Sequence, residues 1–266
     1  MKLNRRPIFP AGTTWLYLAL VAVLAAGCVS VNRLREAQDA FNQAATAENA
    51  VQFENDPANT AANLASVRAG YASALLSLGK LEPKDERTLQ QDGLWGTALT
   101  LKSLCQWRLG QYSQALASAV EAQGNATNQV YPRDRALLVA LPGLIKTDQA
   151  YTKIFSNAPL AEVEELLTGP NGAIANIQNA RANTDKDHPV QIYLIQAQLA
   201  AYRNFTVALD RLNNHTTVPP GHPARADAIA QLAELNRLLG TQTGGGPAAQ
   251  QPVVNRWARL CGLPPV

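Results

Sequence analysis

The chain has 266 residues, more than one hydrophobic core of average size needs but well within one stack of helices. Alanine, leucine, glutamine and asparagine are abundant and only 6% of the residues are aromatic, so the composition predicts an almost entirely helical protein. The net charge of +3 comes from Lys2, Arg5 and Arg6, because the chain after residue 27 carries 20 basic and 20 acidic residues. This balance removes the main argument for a nucleic-acid or acidic-membrane partner.

Residues 1–27 predict a signal peptide. They combine a basic start with an apolar run at 15–26 that is too short for an ordinary membrane anchor. The sequence LAAGC at 24–28 resembles the lipobox of bacterial lipoproteins, in which the cysteine becomes the lipidated first residue of the mature protein. Ala25 departs from that pattern, since leucine is usual there. The resemblance implies lipidation of Cys28, and the alternative is an unlipidated secreted chain or an uncleaved anchor.

The resemblance to bacterial lipoproteins also implies a compartment. In many Gram-negative bacteria an aspartate directly after the lipidated cysteine retains the protein in the inner membrane, whereas here Val29 follows Cys28. The resemblance therefore implies a protein of the cell envelope that is anchored in the outer membrane and faces the periplasm. Several acyl chains, such as palmitate, on Cys28 would hold it stably, because a single chain gives only marginal binding.

Apolar residues at helical spacing predict the first helices of the mature chain. One helix runs from residue 31 to about 55, a second from about 60 to Gly79, and a polar segment follows at 84–91. Residues 94–122 predict a helical hairpin whose two helices are separated by Gly110. The apolar stripe expected on its second helix consists of Tyr112, Ala115, Leu116, Ala119 and Val120.

The predicted hairpin resembles a tetratricopeptide repeat. In the core of that repeat a glycine ends the first helix, an aromatic residue opens the second, and an alanine three positions later lets the helices approach, as in GQYSQAL at 110–116. The pattern aromatic-x-x-Ala-Leu occurs at two further places in the chain. The resemblance implies helix-packing roles for Gly110, Tyr112, Ala115, Tyr71, Ala74, Phe205 and Ala208.

The three matches lie 41 and 93 residues apart, whereas a tetratricopeptide repeat has a period of about 34 residues. A single helical hairpin cannot bury its own apolar face, so neighbours must stack on it. The resemblance therefore implies an all-α fold of antiparallel hairpins stacked as a tetratricopeptide-like solenoid. An irregular helical bundle is the alternative.

Further helices are predicted in the second half of the chain. They cover 133–155 with a kink or break at Pro142, then 161–167, 173–182, a hairpin that begins at Pro189, and 224–239. Residues 240–252 lack periodicity and predict a flexible linker, after which residues 253–266 are expected to dock on the domain. The sequence thus predicts one helical repeat-like domain over residues 28–239.

Two cysteines remain once Cys28 is assigned to lipid. In an oxidising periplasm, Cys105 and Cys261 are candidates for a disulfide that would tie the tail to the first helix of the central hairpin. The alternative is that both are small apolar side chains buried in the core.

The sequence offers no positive evidence for catalysis. It contains no nucleophile elbow, zinc-binding helix motif, phosphate loop or dinucleotide fingerprint, so it predicts no catalytic residue, no metal ligand, no cofactor and no enzyme. Glu162, Glu164 and Glu165 fall in the first turns of a helix, where carboxylates favour the dipole and need no catalytic role.

Stacked helix pairs present an extended groove lined by their first helices. Lys102, Gln106, Trp107 and Arg108 are the candidate partner-binding residues of such a surface, and an ordinary solvated helix face is the alternative. We therefore expect a lipid-anchored envelope scaffold or assembly protein that binds peptide or protein segments. The alternative is an accessory ligand-binding lipoprotein of a solute transport system, which a sizeable apolar pocket rather than a shallow polar groove would favour.

Overall fold

The computed structural model describes residues 29–48, 57–125, 131–213, 218–242 and 247–264. The regular secondary structure of these residues is helical, so the predicted all-α class is confirmed. The helices are α1 (29–48), α2 (Pro57–Gly79), α3 (Pro83–Gln91), α4 (Trp95–Arg108), α5 (Tyr112–Asn125), α6 (Pro132–Phe155), α7 (Leu160–Thr168), α8 (Ala173–Ala182), α9 (Val190–Asn213), α10 (Pro223–Gln242) and α11 (Pro247–Leu260). The predicted signal peptide at 1–27 and Cys28 lie outside the described residues.

The chain divides into two compact units, unit 1 up to Val130 and unit 2 from Tyr131 onward. Unit 1 contains α1 to α5, and unit 2 contains α6 to α11. This division differs from the single domain predicted over residues 28–239. It arises because the helices of each unit share an apolar core of their own.

In unit 1, α1 and α2 run antiparallel. Arg33 near the start of α1 contacts the carbonyl of Lys80 just after α2, and Glu48 at the end of α1 contacts Tyr71 in the middle of α2. Gly70 permits the close crossing, because a Cβ at that position would lie 2.8 Å from the Cβ of Ala44. A core cluster then joins these helices to α3 and α4; its members are Leu34, Ala37, Ala74, Leu78, Leu89, Ala98, Leu101 and Cys105.

The structure contains the hairpin predicted at Gly110. Gly110 has a φ of +76°, and the N–H groups of Gly110 and Gln111 donate to the carbonyls of Trp107 and Gln106, which is a glycine-terminated helix end. Ala115 is fully buried, and its carbonyl accepts a hydrogen bond of 2.9 Å from Ser103 on α4. The small side chain thus allows α4 and α5 to approach closely.

The buried face of α5 differs from the predicted stripe. Ala115 and Ala119 are buried as expected, whereas Leu116 is 37% and Val120 is 70% exposed. The buried positions of α5 also include Ser118 and Ala122. Small residues occupy this face because α4 lies close to it, so the larger apolar side chains project elsewhere.

The other two aromatic-x-x-Ala-Leu matches do not begin hairpins. Tyr71 and Ala74 lie inside α2, Phe205 and Ala208 lie inside α9, and all four side chains are buried. The hairpin predicted from Pro189 is instead one helix, α9. No glycine or proline interrupts α9, and Gly70 in α2 serves the close crossing with α1 rather than a turn.

In unit 2, α9 lies against α6, α7, α8 and α10. The helix α6 continues through Pro142, so the structure has no break at that residue. The following Gly143 permits close packing of α6 on α8, because a Cβ there would lie 2.7 Å from the carbonyl oxygen of Ala173 and 2.9 Å from Ile177.

The C-terminal region differs from the predicted linker at 240–252. The helix α10 continues to Gln242 and α11 begins at Pro247, because the alanines and glutamines after Pro247 are good helix formers. Val254, Ala258 and Cys261 of this region are buried in the core of unit 2. None of the helices in the described part of the chain combines the length and apolar character that crossing a bilayer requires.

Candidate functional site

The four residues predicted to bind a partner are not presented together on a surface. Eleven of the fourteen residues of α4 are buried, including Gln106 and Trp107, which are 7% and 5% exposed. Gln106 accepts a hydrogen bond of 2.8 Å from Ser118 on α5. The Arg108 guanidinium lies 3.9 Å from the Trp107 ring centroid, and Lys102 is half-buried. Most of α4 is therefore a core helix, and Gln106, Trp107 and Arg108 make contacts within the protein.

Arg108 also has a structural partner. Its Nη1 lies 3.2 Å from Oε1 of Glu48, the α1 residue whose other carboxylate oxygen accepts a 2.6 Å hydrogen bond from the Tyr71 hydroxyl. Glu48 thus connects α1, α2 and α4 at one end of unit 1. The sequence could not reveal this, because the three residues are 23 or more positions apart.

Cys105 and Cys261 are free thiols in this structure, so the candidate disulfide between them is not formed. Cys105 is buried in the core of unit 1, and Cys261 in the core of unit 2, where its Sγ lies 3.6 Å from the carbonyl oxygen of Leu199. Burial raises the pKa of each thiol to about 12. Their surroundings are those of the alternative prediction, in which both cysteines are small apolar side chains of the core.

Unit 2 contains an open groove with a volume of about 650 Å³. Residues of α7, of the turn after it, of α8 and of the start of α10 form its walls. The polar side chains among them are Glu164, Glu165, Thr168, Gln178, His222 and Asp227. We call this cavity the acidic groove, because the described residues that line it include three carboxylates and neither lysine nor arginine.

The sequence of α7 explains why one wall of this groove is acidic. In α7 the apolar Val163 and Leu167 are fully buried against the core, so the intervening Glu164 and Glu165 face away from that core. Gly169 ends the helix, and a Cβ at that position would lie 2.5 Å from the carbonyl oxygen of Glu165. The turn after α7 therefore approaches the helix more closely than a side chain would allow.

His222 forms the opposite wall and caps α10. Its Nδ1 accepts a hydrogen bond of 3.2 Å from the N–H of Ala224 at the start of the helix, and its ring lies 5.1 Å from that of Phe205. Because Nδ1 is an acceptor, the proton of the neutral imidazole resides on Nε2. Nε2 lies 3.5 Å from Oε1 of Glu164 across the groove.

Asp227 is held by a network behind the groove. Its two carboxylate oxygens accept hydrogen bonds from Gln178 at 2.9 Å, Gln231 at 3.0 Å and Gln198 at 2.5 Å. Arg181 donates to Gln198 at 3.0 Å and also to Gln231. Burial lowers the pKa of Arg181, and the negative charge of Asp227 opposes this effect.

This network determines which carboxylates of the groove can attract a ligand. Arg181 and three amides compensate Asp227, so its charge serves to fix α8, α9 and α10 to one another. Glu164 and Glu165 lie on the outer wall, where Glu164 is 45% exposed and pairs with no lysine or arginine in the described residues. The groove therefore favours cationic groups at its outer wall.

The described residues of the groove do not form a metal site. In the part of the chain that the structure describes, no three His, Cys, Asp or Glu residues are arranged to hold a metal ion. The sequence shows the charges of Glu164 and Glu165 but does not show the groove that they line. A local sequence pattern cannot indicate that the start of α10, about 60 residues later in the chain, lies opposite α7.

Comparison of the chain with models of protein families, with curated proteins and with solved structures found no match in any of the three.

Proposed function

We propose that this protein is a lipid-anchored envelope protein that holds a basic segment of a partner protein in the acidic groove. The observation that supports this proposal is the charge of the outer wall of the groove, where Glu164 and Glu165 lie and where the described lining residues include no lysine or arginine. The groove is also open rather than enclosed, so an extended chain can lie along it. Stacked helices commonly bind peptide segments through such surfaces.

The proposal includes the anchor and the compartment predicted from the sequence. Acylation of Cys28 would hold the protein in the outer membrane, and the folded units would then face the periplasm. The role is that of a scaffold or assembly protein. Because Gln106 and Arg108 of α4 make contacts within the protein, we assign the binding surface to the acidic groove rather than to that helix.

The accessory of a solute transport system is the second candidate. Its supporting observation is the size of the groove, because about 650 Å³ falls in the range of small-ligand sites. In that case the ligand would be a small cationic solute. The polar side chains of the lining favour the protein segment over this alternative, since small-molecule pockets are mostly apolar.

In-cell photo-crosslinking tests the proposal directly. A photoreactive residue replaces Thr168, which lines the groove, and in the control it replaces Ser113, an exposed residue of α5 in unit 1. We expect a reproducible covalent adduct with an envelope protein from position 168 and not from position 113. The mass spectrum of the adduct should identify a crosslinked peptide rich in lysine or arginine.

Two results would contradict the proposal. One is an equal set of adducts from both positions, which would indicate random contact in the envelope. The other is the absence of adducts from position 168 together with a small cation that copurifies with the protein, which would favour the transport accessory.

A further inference from the structure

The beginning of α1 is fixed to the rest of unit 1. Ser30 is fully buried, and its hydroxyl donates a hydrogen bond of 2.6 Å to Oδ1 of Asp85 at the start of α3. One turn later, Nη1 of Arg33 lies 2.8 Å from Oδ2 of Asp85 and donates a 2.7 Å hydrogen bond to the carbonyl of Lys80. These contacts join the first turn of α1 to the α2–α3 connection and to the first turn of α3.

The distance from Cys28 to this fixed point is short. Ser30 is two residues after Cys28, and two residues span at most about 7 Å of chain. A flexible tether of many residues would let a folded unit adopt any orientation relative to its anchor. Here the intervening Val29 already belongs to α1, so no such tether separates Cys28 from the folded unit.

We propose that the end of unit 1 formed by residues 29–33 and 79–85 is a membrane-facing surface that lies against phospholipid headgroups. We call it the anchor end. The inference depends on the acylation of Cys28 in the function proposed above. Its occupant is the bilayer that receives those acyl chains, because the lipidated residue lies at most about 7 Å along the backbone from Ser30, which leaves too little room for another folded macromolecule in between.

The exposed side chains of the anchor end suit the headgroup region. Val29 is 45% exposed and Leu81 is half-buried, while Lys80 and Lys84 are exposed. Lysine can place its methylenes along apolar surface and its ammonium among polar headgroups. Lys84 pairs with Glu82 at 2.9 Å, so this end carries little net charge and does not need anionic lipid.

The proposal also fixes where the other end of unit 1 lies. The helix α1 has 20 residues and is therefore about 30 Å long. Glu48, Tyr71 and Arg108 meet at its far end. That end would stand up to about 30 Å from the bilayer, with α1 directed away from the membrane.

Amine footprinting on vesicles tests this orientation. The mature chain beginning at Cys28 is coupled through that thiol to maleimide lipid in phosphatidylcholine vesicles, then treated with a water-soluble acylating reagent and analysed by mass spectrometry. Cys105 and Cys261 are buried, so coupling is confined to Cys28. We expect acylation of Lys80 and Lys84 to slow at least severalfold relative to the free protein, while acylation of Lys102 on α4 stays unchanged.

The matched control is the same chain with about ten Gly and Ser residues inserted between Cys28 and Val29. This insertion should restore acylation of Lys80 and Lys84 towards the rate in the free protein, because it lets the unit rotate away from the bilayer. Equal protection of all three lysines, or no protection of Lys80 and Lys84 in the directly coupled chain, would overturn the proposed orientation.

A separate measurement tests the assumption that Cys28 is acylated. The mass of the N-terminal peptide of the protein isolated from its own membranes reports whether Cys28 is acylated. A peptide without acyl chains would refute the lipid anchor of the proposed function and with it the orientation in cells. An acylated peptide together with unprotected lysines on vesicles would refute the orientation alone.

Discussion

Asp85 is a buried carboxylate whose charge contributes to the folding of unit 1. Burial by itself would raise its pKa, but hydrogen bonds from the Glu82 N–H and the Ser30 hydroxyl, together with the Arg33 guanidinium, hold the pKa below its ordinary value. The folded state therefore binds this proton less readily than the unfolded state. The stability that Asp85 contributes is present above about pH 3.8 and is lost as the pH falls through the lower folded pKa.

Replacement of Asp85 by Asn tests this charge. At pH 7 we expect Asp85→Asn to lower the free energy of unfolding by about 1–3 kcal/mol, because the charged hydrogen bonds from Arg33 and Ser30 are weakened. Urea denaturation at pH 7, and again below pH 3.8, measures the effect. The difference between the variant and the parent protein should shrink as the pH falls through the lowered folded pKa of Asp85, because below it both carry a neutral group at position 85.

Asp92→Asn is the matched control, since Asp92 is an exposed aspartate at the other end of α3. It should change the stability by less than about 0.5 kcal/mol at either pH. A penalty for Asp85→Asn that stays constant with pH would show that the charge of Asp85 is not what stabilises the folded unit.

At the scale of elements, the close packing of α6 on α8 depends on Gly143. A Cβ at this position would lie 2.7 Å from the backbone oxygen of Ala173, which cannot move without shifting the start of α8. We expect Gly143→Ala to lower the free energy of unfolding by about 1–3 kcal/mol, although alanine favours a helix more than glycine does. Urea denaturation with circular dichroism measures this change.

The control for Gly143 is another helical glycine with open space around it. A Cβ at Gly124 in α5 would meet nothing within 4 Å. Gly124→Ala should therefore stabilise the protein by up to about 1 kcal/mol through helix propensity alone. If both variants change stability in the same direction, close packing of α6 on α8 is not the reason for the glycine.

Local sequence patterns predicted the positions of the helices well, but they predicted poorly which helices pack against one another. Gly110 ends α4 as predicted, because a positive φ at a helix end is a local requirement that glycine meets. Gly70 is also followed by an aromatic residue with an alanine three positions later, yet it remains inside α2. What distinguishes it is Ala44 on another helix, which the local pattern cannot report.

The acidic groove belongs to the scale of the whole molecule, because it exists only when α7, α8 and α10 are folded together. Neutralising its outer wall with Glu164→Gln and Glu165→Gln should weaken binding of an alternating lysine–alanine peptide about fivefold. Two exposed charge pairs worth about 0.5 kcal/mol each give that ratio. Isothermal titration measures the affinity, and higher salt should reduce the difference.

Glu162→Gln provides the control on the same helix. Glu162 lies outside the groove and pairs with Lys153 at 2.6 Å, so its replacement should leave peptide binding unchanged. A glutamate–alanine peptide should not bind any of the variants. Equal affinity of the lysine–alanine peptide for the parent protein and the double variant would remove the acidic groove as the binding site.

The sequence alone determined the helical class, the turn at Gly110 and most helix positions. These follow from hydrogen bonds, caps and side-chain periodicity within a few residues of one another. Tertiary structure decided the division into two units, the burial of Gln106 and Trp107, the core in which each cysteine lies and the acidic groove. Each of these depends on which distant helices lie against one another, and the free energy of that packing is set by shape and burial across the chain rather than by local pattern.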